Sequence, residues 1–316
     1  MAQETAKLAC TGNDLIAVLE PAERDALLAE AAAQPYAEGL LWRATRGDTV
    51  IDLFGSYHFR HEQTEAHLAR LIPLIDAADT VFLEISNEDQ LQMQRDMASN
   101  PGLMFITEGP TLPDLLGEDD WQTFSDEMAA RGIPPIMAAK FKPLWATLML
   151  GIGPCEARTG GFTGGGIDQR VGEYAKEIGN PSRSLEDFRT LLSLLDELTM
   201  DDQIDMIRLS LAWPGNADDL SYTVRQLYLN EQVALTLAFS EYVTRAFGGD
   251  AAGQDFDEMM ELLLEDRNLN WRNVLRAGIS PGDRVFIAVG AGHLPGNLGM
   301  LRLLEEDGFT IERLPL

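Results

Sequence analysis

The sequence is poor in histidine, cysteine and basic residues, and it has no long apolar run. Its 316 residues include 4 His and 2 Cys, and 24 Lys and Arg stand against 51 Asp and Glu, which gives a formal charge of -27. Such a surface repels phosphate backbones and anionic lipid heads, so we expect no nucleic-acid partner. The longest strongly apolar stretch, Pro143–Gly153, is too short to span a bilayer. We therefore expect no integral membrane segment.

The two cysteines are Cys10 and Cys155. An even pair in an exported protein favours one disulfide, and two unrelated buried thiols are the alternative. Ala2-Gln3-Glu4 after Met1 is typical of a mature secreted chain with an added start Met. We therefore predict a periplasmic or secreted bacterial protein whose signal peptide has been removed.

Runs typical of strands lie near the two ends of the chain, and the centre has the spacing of helices. The predicted strands are Leu40–Ala44, Thr49–Phe54, Thr80–Ile85, Val285–Val289 and Phe309–Leu314. The predicted helices include Asp114–Ala130, Gln169–Ile178, Leu185–Leu198, Asp219–Phe247 and Phe256–Ala277. We predict an α/β (α+β) fold with a central mixed sheet and one domain over residues 1–316. The sheet halves lie at about 38–86 and 280–316, and a helical insertion lies at about 87–279.

Two similar segments, each a strand, a Gly-x-x-His turn, a helix and a second strand, occur in the two halves of the chain. The turns are Gly55-Ser-Tyr-His58 and Gly290-Ala-Gly-His293. Ligand crevices form at the ends of strands in α/β sheets, and a glycine there permits close approach of another loop. We predict that the two histidines face a common site. Chance likeness of two βαβ units is the alternative.

Glu84 lies in the otherwise apolar run Val-Phe-Leu-Glu-Ile. A buried carboxylate is costly unless it is paired, protonated or bound to a metal. The structural alternative for Glu84 is a salt bridge, for which Arg267 is the candidate. Two His and one Glu would make an open three-ligand site that binds zinc or a similar divalent ion and activates its water. We assign His61 and His67 to the solvated face of a helix. The alternative for His61, which lies in the same turn as His58, is a supporting contact to that site.

These residues resemble the TraB/GumN family, which includes PrgY and belongs to a wider group with Tiki proteases, erythromycin esterases and haem-binding ChaN proteins. Ser56 is a mild departure, because the family's first motif usually has Thr there. The resemblance extends over nearly the whole chain, and its C-terminal part is the most specific. The matching segments are Leu53-Phe-Gly-Ser-Tyr-His58, Phe82-Leu-Glu84, Lys142-Pro-Leu-Trp145, Gly166-Ile-Asp168, Ser184-Leu-Glu186, Asp266-Arg-Asn268 and Val289-Gly-Ala-Gly-His-Leu-Pro-Gly296, with Gly299 and Gly308-Phe309.

The resemblance implies a metal-dependent hydrolase, in the first place a peptidase, acting on a peptide or small-molecule substrate. Its centre would be His58, Glu84 and His293, holding a divalent ion such as zinc, manganese or cobalt. Arg267 would pair with Glu84 or stabilise an oxyanion. We assign Asp168 to capping of the helix that follows it.

Two other functions stay open at this point. One is metal-free esterase chemistry, in which a histidine is the general base on water. The other is a non-enzymatic protein that sequesters a peptide or haem, although the sequence has no Cys-x-x-Cys-His motif for haem attachment. The sequence does not indicate the oligomeric state.

Overall fold

The alternating apolar runs form strands in the computed structural model, which describes residues 10–161, 165–190 and 199–316. The five predicted strands are confirmed, and the described residues contain a sixth short strand that the sequence analysis missed. The strands are β1 (Leu41–Arg46), β2 (Thr49–Ser56), β3 (Thr80–Leu83), β4 (Arg183–Ser184), β5 (Arg284–Gly290) and β6 (Thr310–Arg313).

The six strands form one mixed sheet in the order β4-β3-β5-β2-β1-β6. β1 and β2 form an antiparallel hairpin around Gly47 and Asp48, and β6 pairs with the other side of β1. β5 lies between β2 and β3 and is parallel to both, and β4 is parallel to β3. The sheet therefore joins strands from the two ends of the chain, and four parallel strands point the same way.

The helices fill most of the chain between the strands of the two ends. They are Pro21–Ala32, Glu62–Asp76, Asn87–Ser99, Leu112–Leu116, Glu118–Ala130, Pro135–Ala138, Pro143–Leu150, Pro154–Glu156, Ile167–Glu177, Met200–Ala212, Ala217–Leu229, Val233–Met260, Asp266–Gly278 and Met300–Glu306. Short 3-10 segments are Pro101–Leu103 and Ala291–His293, and π-helical turns are Ala157–Gly161 and Glu261–Glu265. Within the described part of the chain, no helix is both long and apolar enough to cross a membrane.

Side chains along each strand alternate between two apolar clusters on opposite faces of the sheet. Phe82 packs in one cluster with Val285 and Ile287, and Val81 and Leu83 pack in the other. The two faces of β3 therefore contact different clusters. β3 itself ends at Leu83, so Glu84 is the first residue after the strand rather than a member of it.

The contacts between residues divide the chain into two compact units. The second unit holds the sheet and comprises residues 20–96, 165–190 and 227–316 of the described chain. The first comprises residues 10–19, 97–161 and 199–226. The expected sheet halves lie in the second unit, and the expected helical insertion is divided between both.

The first unit is helical and has its own apolar core, which includes Phe124, Met128 and Ile207. Cys10 and Cys155 form a disulfide in this unit. Next to it, the buried Arg225 pairs with Glu156 and donates to the Cys10 carbonyl at 2.6 Å. The bond and the arginine together tie the N-terminal arm to the helices of this unit.

Four of the predicted helices are divided, or only partly helical, in the structure. The predicted helix Phe256–Ala277 covers the end of Val233–Met260, the π-helical turn Glu261–Glu265 and most of Asp266–Gly278. The predicted helix Asp114–Ala130 is two helices, because Gly117 has a φ of +82° between them. The predicted helix Asp219–Phe247 is also two, separated at Glu231, whose φ is +60°. For Leu185–Leu198, residues 185–187 are not helical, and 191–198 lie outside the described residues. The glycine-rich segment Thr159–Gly166 is likewise only partly described.

Candidate functional site

Four neighbouring parallel strands bring their carboxyl ends to one edge of the sheet, and each is followed by a polar side chain. His58 follows β2, His293 follows β5, Glu84 follows β3 and Glu186 follows β4. This is the edge at which α/β sheets form ligand sites. The structure thus brings together the three residues that the sequence analysis singled out from positions up to 235 residues apart.

The two imidazoles approach the same oxygen of Glu84. His58 Nε2 lies 3.9 Å from Glu84 Oε1, and His293 Nε2 lies 3.8 Å from it. The backbone N–H of Gly290 donates to that oxygen at 2.6 Å. The two separations are longer than a hydrogen bond, so the three side chains surround a small space rather than bond directly to one another.

The two glycines of the turns allow this approach. A Cβ on Gly55 would lie 2.7 Å from Leu294 Cδ1 and 3.0 Å from Ala291 Cα, so the second turn could not pack against the first. A Cβ on Gly290 would lie 2.9 Å from His58 Nε2 and 3.2 Å from Glu84 Oε1. The absence of a side chain at position 290 therefore keeps open the space between His58 Nε2 and Glu84 Oε1.

His293 is buried and held by an amide. Its Nδ1 lies 2.8 Å from Asn268 Oδ1, and Asn268 donates its own N–H to the Leu298 carbonyl at 2.9 Å. Asn268 Oδ1 is then an acceptor, so His293 Nδ1 carries the proton and Nε2 has a lone pair. Burial, together with the charges of Arg267 and His58, lowers the pKa of His293 to about 3 against the opposing effect of Glu84. This imidazole is neutral at physiological pH.

His58 is the exposed member of the pair, with 54% of its side chain accessible. Its Nδ1 lies 3.2 Å from Asp168 Oδ2. Burial lowers its pKa, but the hydrogen bond and charge of Asp168 and the charge of Glu84 outweigh that effect and raise the pKa to about 9. The site therefore favours a positive charge at His58.

Arg267 supplies the cation that balances the carboxylates. Its guanidinium donates to Glu84 Oε2 at 2.6 Å, to Glu186 Oε1 at 2.6 Å and to His293 Nε2 at 3.3 Å. It also lies over the Trp271 ring, 4.7 Å from the centroid. Burial alone would raise the pKa of Glu84, but His293, His58, Arg267 and the Gly290 N–H lower it to about 2. Glu84 is therefore ionised.

Two residues of this cluster have partners that the sequence analysis did not identify. Asp168 was assigned as a helix cap, yet the cap position is Gly166, and Asp168 lies in the first turn with its carboxylate 3.2 Å from His58 Nδ1. Glu186, in the Ser184-Leu-Glu186 segment, is the second carboxylate that accepts from Arg267. The Gly-Ile-Asp and Ser-Leu-Glu segments were the available signals for both.

The remaining histidines lie outside the cluster. His61 caps the helix Glu62–Asp76 by accepting from the Gln63 N–H at 3.2 Å. His67 is half-buried against Phe54 and Tyr228, so it is not the solvated residue that we expected. Tyr228 in turn donates to the Gly55 carbonyl at 3.0 Å and supports the first turn.

The donor set fits a divalent ion in chemical type, and Gly290 leaves room for one. Both imidazoles have Nδ1 held by an oxygen and Nε2 directed at a carboxylate, which is the usual environment of metal-bound histidine. The spacing does not yet fit, because no three His, Cys, Asp or Glu side chains of the described residues are arranged to hold a metal ion. Two of the lone pairs that would bind an ion already accept hydrogen bonds. His293 Nε2 accepts from Arg267, and Glu84 Oε1 accepts from the Gly290 N–H.

Comparison with known proteins gives one family. The model described as the TraB/PrgY/gumN family matches residues 40–313. No curated protein and no solved structure matches the sequence. The matched span contains both Gly-x-x-His turns, Glu84 and Arg267, and it covers most of the chain. The chain therefore belongs to the TraB/PrgY/gumN family.

Proposed function

We propose that this chain is a hydrolase of amide bonds, in peptides first of all, with its reaction centre at His58, Glu84 and His293. The observation that carries the proposal is the approach of two remote imidazoles to a single carboxylate oxygen, at 3.9 and 3.8 Å. Sheet edges of this kind are where catalytic groups gather, and strongly shifted pKa values in one cluster are typical of active sites.

The first form of the proposal is metal-dependent. Zinc, manganese or cobalt would be held by Nε2 of His58, Nε2 of His293 and Oε1 of Glu84. Because His293 Nε2 has one lone pair, this form requires that the Arg267 N–H leave that atom. Such an ion lowers the pKa of bound water and supplies hydroxide near neutral pH. The open space beside Gly290 and the anchored Nδ1 atoms of both imidazoles support this form.

The surrounding residues have positioning roles in this proposal. Asp168 holds the His58 ring by Nδ1, and Asn268 does the same for His293. Arg267 is only 8% exposed, so we assign it to orient Glu84 rather than to contact a substrate. The exposed imidazole of His58 is the group that an incoming substrate meets first.

A second form, without a metal, is favoured by two contacts. Asp168 and His58 make a carboxylate–imidazole pair that can act as a general base on water. Arg267 already places a cation on His293 Nε2. Because the pKa of His58 is about 9, the base form of His58 increases as the pH rises towards 9. Hydrolysis of this form would therefore rise with pH over the same range.

Metal content and mutant activity distinguish the two forms. Protein purified without a His tag is assayed for bound metal and for cleavage of a quenched fluorescent peptide library, with and without chelator. The metal-dependent form predicts a stoichiometric ion and loss of cleavage with chelator, His58→Ala or His293→Gln. The matched control is His61→Asn, which changes a nearby imidazole and keeps a capping side chain.

Cleavage that survives chelator but is lost in His58→Ala favours the metal-free form. Cleavage that survives in both His58→Ala and His293→Gln would overturn the proposed centre. Peptide binding without turnover would favour a sequestering protein instead.

We also propose that the chain is exported to an oxidising compartment. The disulfide between Cys10 and Cys155 supports this, because such bonds persist outside the reducing cytosol. Cell fractionation of the producing organism, with thiol labelling of the extracted protein, tests it. Recovery of the chain from the cytosol with both thiols free would contradict it.

A further inference from the structure

A groove in the second unit lies behind the His293 turn. Its main cavity, of about 440 Å³, is bordered by the helices Pro21–Ala32 and Val233–Met260 and by the turn residues Gly292 and Pro295. A second hollow of about 420 Å³ shares Glu30, Ala238 and Glu241 with it. Because they adjoin, the two hollows together offer a larger surface than either alone, which suits a segment of polymer better than a compact small molecule.

The floor of the groove is apolar and partly accessible. Leu237, Phe256 and Leu264 line the main cavity and are half-buried. Binding sites typically combine such an apolar floor with a few polar groups that orient the ligand. An occupant with an apolar face would therefore gain free energy by covering this floor.

The rim of the groove is acidic. No lining residue of the main cavity among the described residues is Lys or Arg. Its carboxylates are Glu30, Glu241, Asp257, Glu258, Glu261 and Glu265. Arg245, from the second hollow, pairs with Glu241 at 2.7 Å and with Asp257 at 2.6 Å, and the structure gives the other four no cation partner within the described chain. The rim thus presents uncompensated negative charge above an apolar floor.

The groove shares residues with the reaction centre. Asn268 lines the cavity and also holds His293 by its Nδ1. Gly292, next to His293, lies against Leu264 and Leu237 on the floor, since a Cβ there would be 3.6 and 3.7 Å from their methyl groups. A ligand in the groove would therefore contact the back of the turn that carries His293.

We infer that this groove binds a cationic amphipathic segment of a peptide substrate, away from the bond that is cleaved. The apolar side chains of the segment cover Leu237, Phe256 and Leu264, and its Lys or Arg side chains reach the rim carboxylates. Shape, floor and charge select this occupant together. That the bound peptide is a substrate rests on the proposed peptidase function. That the groove binds such a peptide rests on the groove alone.

The test is binding of a labelled Leu/Lys amphipathic peptide, measured by fluorescence anisotropy with His58→Ala protein so that the peptide stays intact. We expect the variant Glu258→Gln/Glu261→Gln/Glu265→Gln to weaken binding by about tenfold or more. The matched control is Asp48→Asn/Glu177→Gln/Glu312→Gln, which removes three exposed carboxylates outside the groove. This control should change the dissociation constant by less than about twofold. Phe256→Ser should weaken binding without a change of charge.

Equal weakening by both triple variants would mean general attraction to an acidic surface and would overturn the inference. The same holds if a Ser/Lys peptide or spermine binds as tightly as the Leu/Lys peptide. Thermal melts of each variant show that it is folded. Because the assay uses a variant that lacks His58, groove binding without any wild-type cleavage would refute the hydrolase proposal alone. Wild-type cleavage with no effect of the groove variants would refute the groove alone.

Discussion

The two Gly-x-x-His turns occupy equivalent places in the sheet but hold their histidines in opposite states. The His58 side chain is 54% exposed and its pKa is raised to about 9, whereas the His293 side chain is 4% exposed and its pKa is lowered to about 3. A carboxylate holds the first ring and an amide holds the second. The motif therefore determines where an imidazole lies, and its neighbours determine the charge that it carries.

The largest effect is expected from Arg267→Met, because Arg267 contacts the buried histidine, His293, and two carboxylates beside it. The change leaves Glu84 and Glu186 without their shared cation, and a buried carboxylate without a partner is strongly destabilising. We expect the free energy of unfolding to fall by about 3–5 kcal/mol in urea denaturation. Arg302→Met, which removes an exposed arginine with two ion pairs, is the control and should cost less than about 1 kcal/mol. A loss below that of the control would refute this role of Arg267.

Replacing each histidine by alanine tests the comparison directly. His293→Ala removes a buried ring that packs on Trp271 at 4.3 Å and leaves Asn268 Oδ1 unpaired, so we expect a loss of about 2–4 kcal/mol. His58→Ala alters a mostly exposed ring and should cost less than about 1 kcal/mol. Both should abolish hydrolysis. Equal losses of stability, measured by chemical denaturation, would show that the two turns are not different in kind.

Gly290→Ala tests whether the space between the two turns holds a metal ion. Gly290 has a φ of -52°, so alanine fits the backbone, but its Cβ would lie 2.9 Å from His58 Nε2. We expect metal affinity and hydrolysis to fall by about tenfold or more, with a stability change within about 1 kcal/mol. Gly292→Ala is the control for metal affinity alone, since its Cβ finds atoms only at 3.6 Å and beyond. Full metal binding by Gly290→Ala, measured by titration calorimetry, would show that an ion does not use this space.

The smallest effect is expected from Asp168→Asn, which makes the anchor of His58 resemble that of His293. Loss of the carboxylate should lower the pKa of His58 by about 1–2 units, measured by NMR on chelated protein. Because the native pKa is raised, charged His58 stabilises the fold fully below its unfolded pKa of about 6.5 and this contribution is lost as the pH rises to about 9. The variant's melting temperature should therefore fall most below pH 6.5 and match the wild type above pH 9. An unchanged His58 pKa would contradict the assignment.

The sequence analysis predicted the sheet better than it predicted the site. Apolar runs mark β1, β2, β3 and β5, because most of their side chains are buried, and β6 was found although its residues are largely exposed. β4 is two residues long, too short for any periodicity, so it was missed. The helix breaks at Gly117 and Glu231 depend on single residues with positive φ, which the apolar pattern does not report.

The site was predicted where a motif repeats and missed where only tertiary contact defines it. Two Gly-x-x-His turns in a chain with few histidines indicated a shared site, and the parallel pairing of β2 with β5 brings them together. The contact of Asp168 with His58 joins residues 110 positions apart, and no local pattern distinguishes such a carboxylate from a helix cap. The difference in exposure and pKa between His58 and His293 likewise depends on tertiary packing, which the periodicity of the sequence does not report.

The order of the strands has a consequence for synthesis of the chain. β5 is placed between β3 and β2, although it is made about two hundred residues after them. Until the ribosome has added His293, the growing polypeptide carries His58 and Glu84 but lacks the second histidine of the proposed centre. The proposed hydrolytic activity would therefore be absent until the last strands are made.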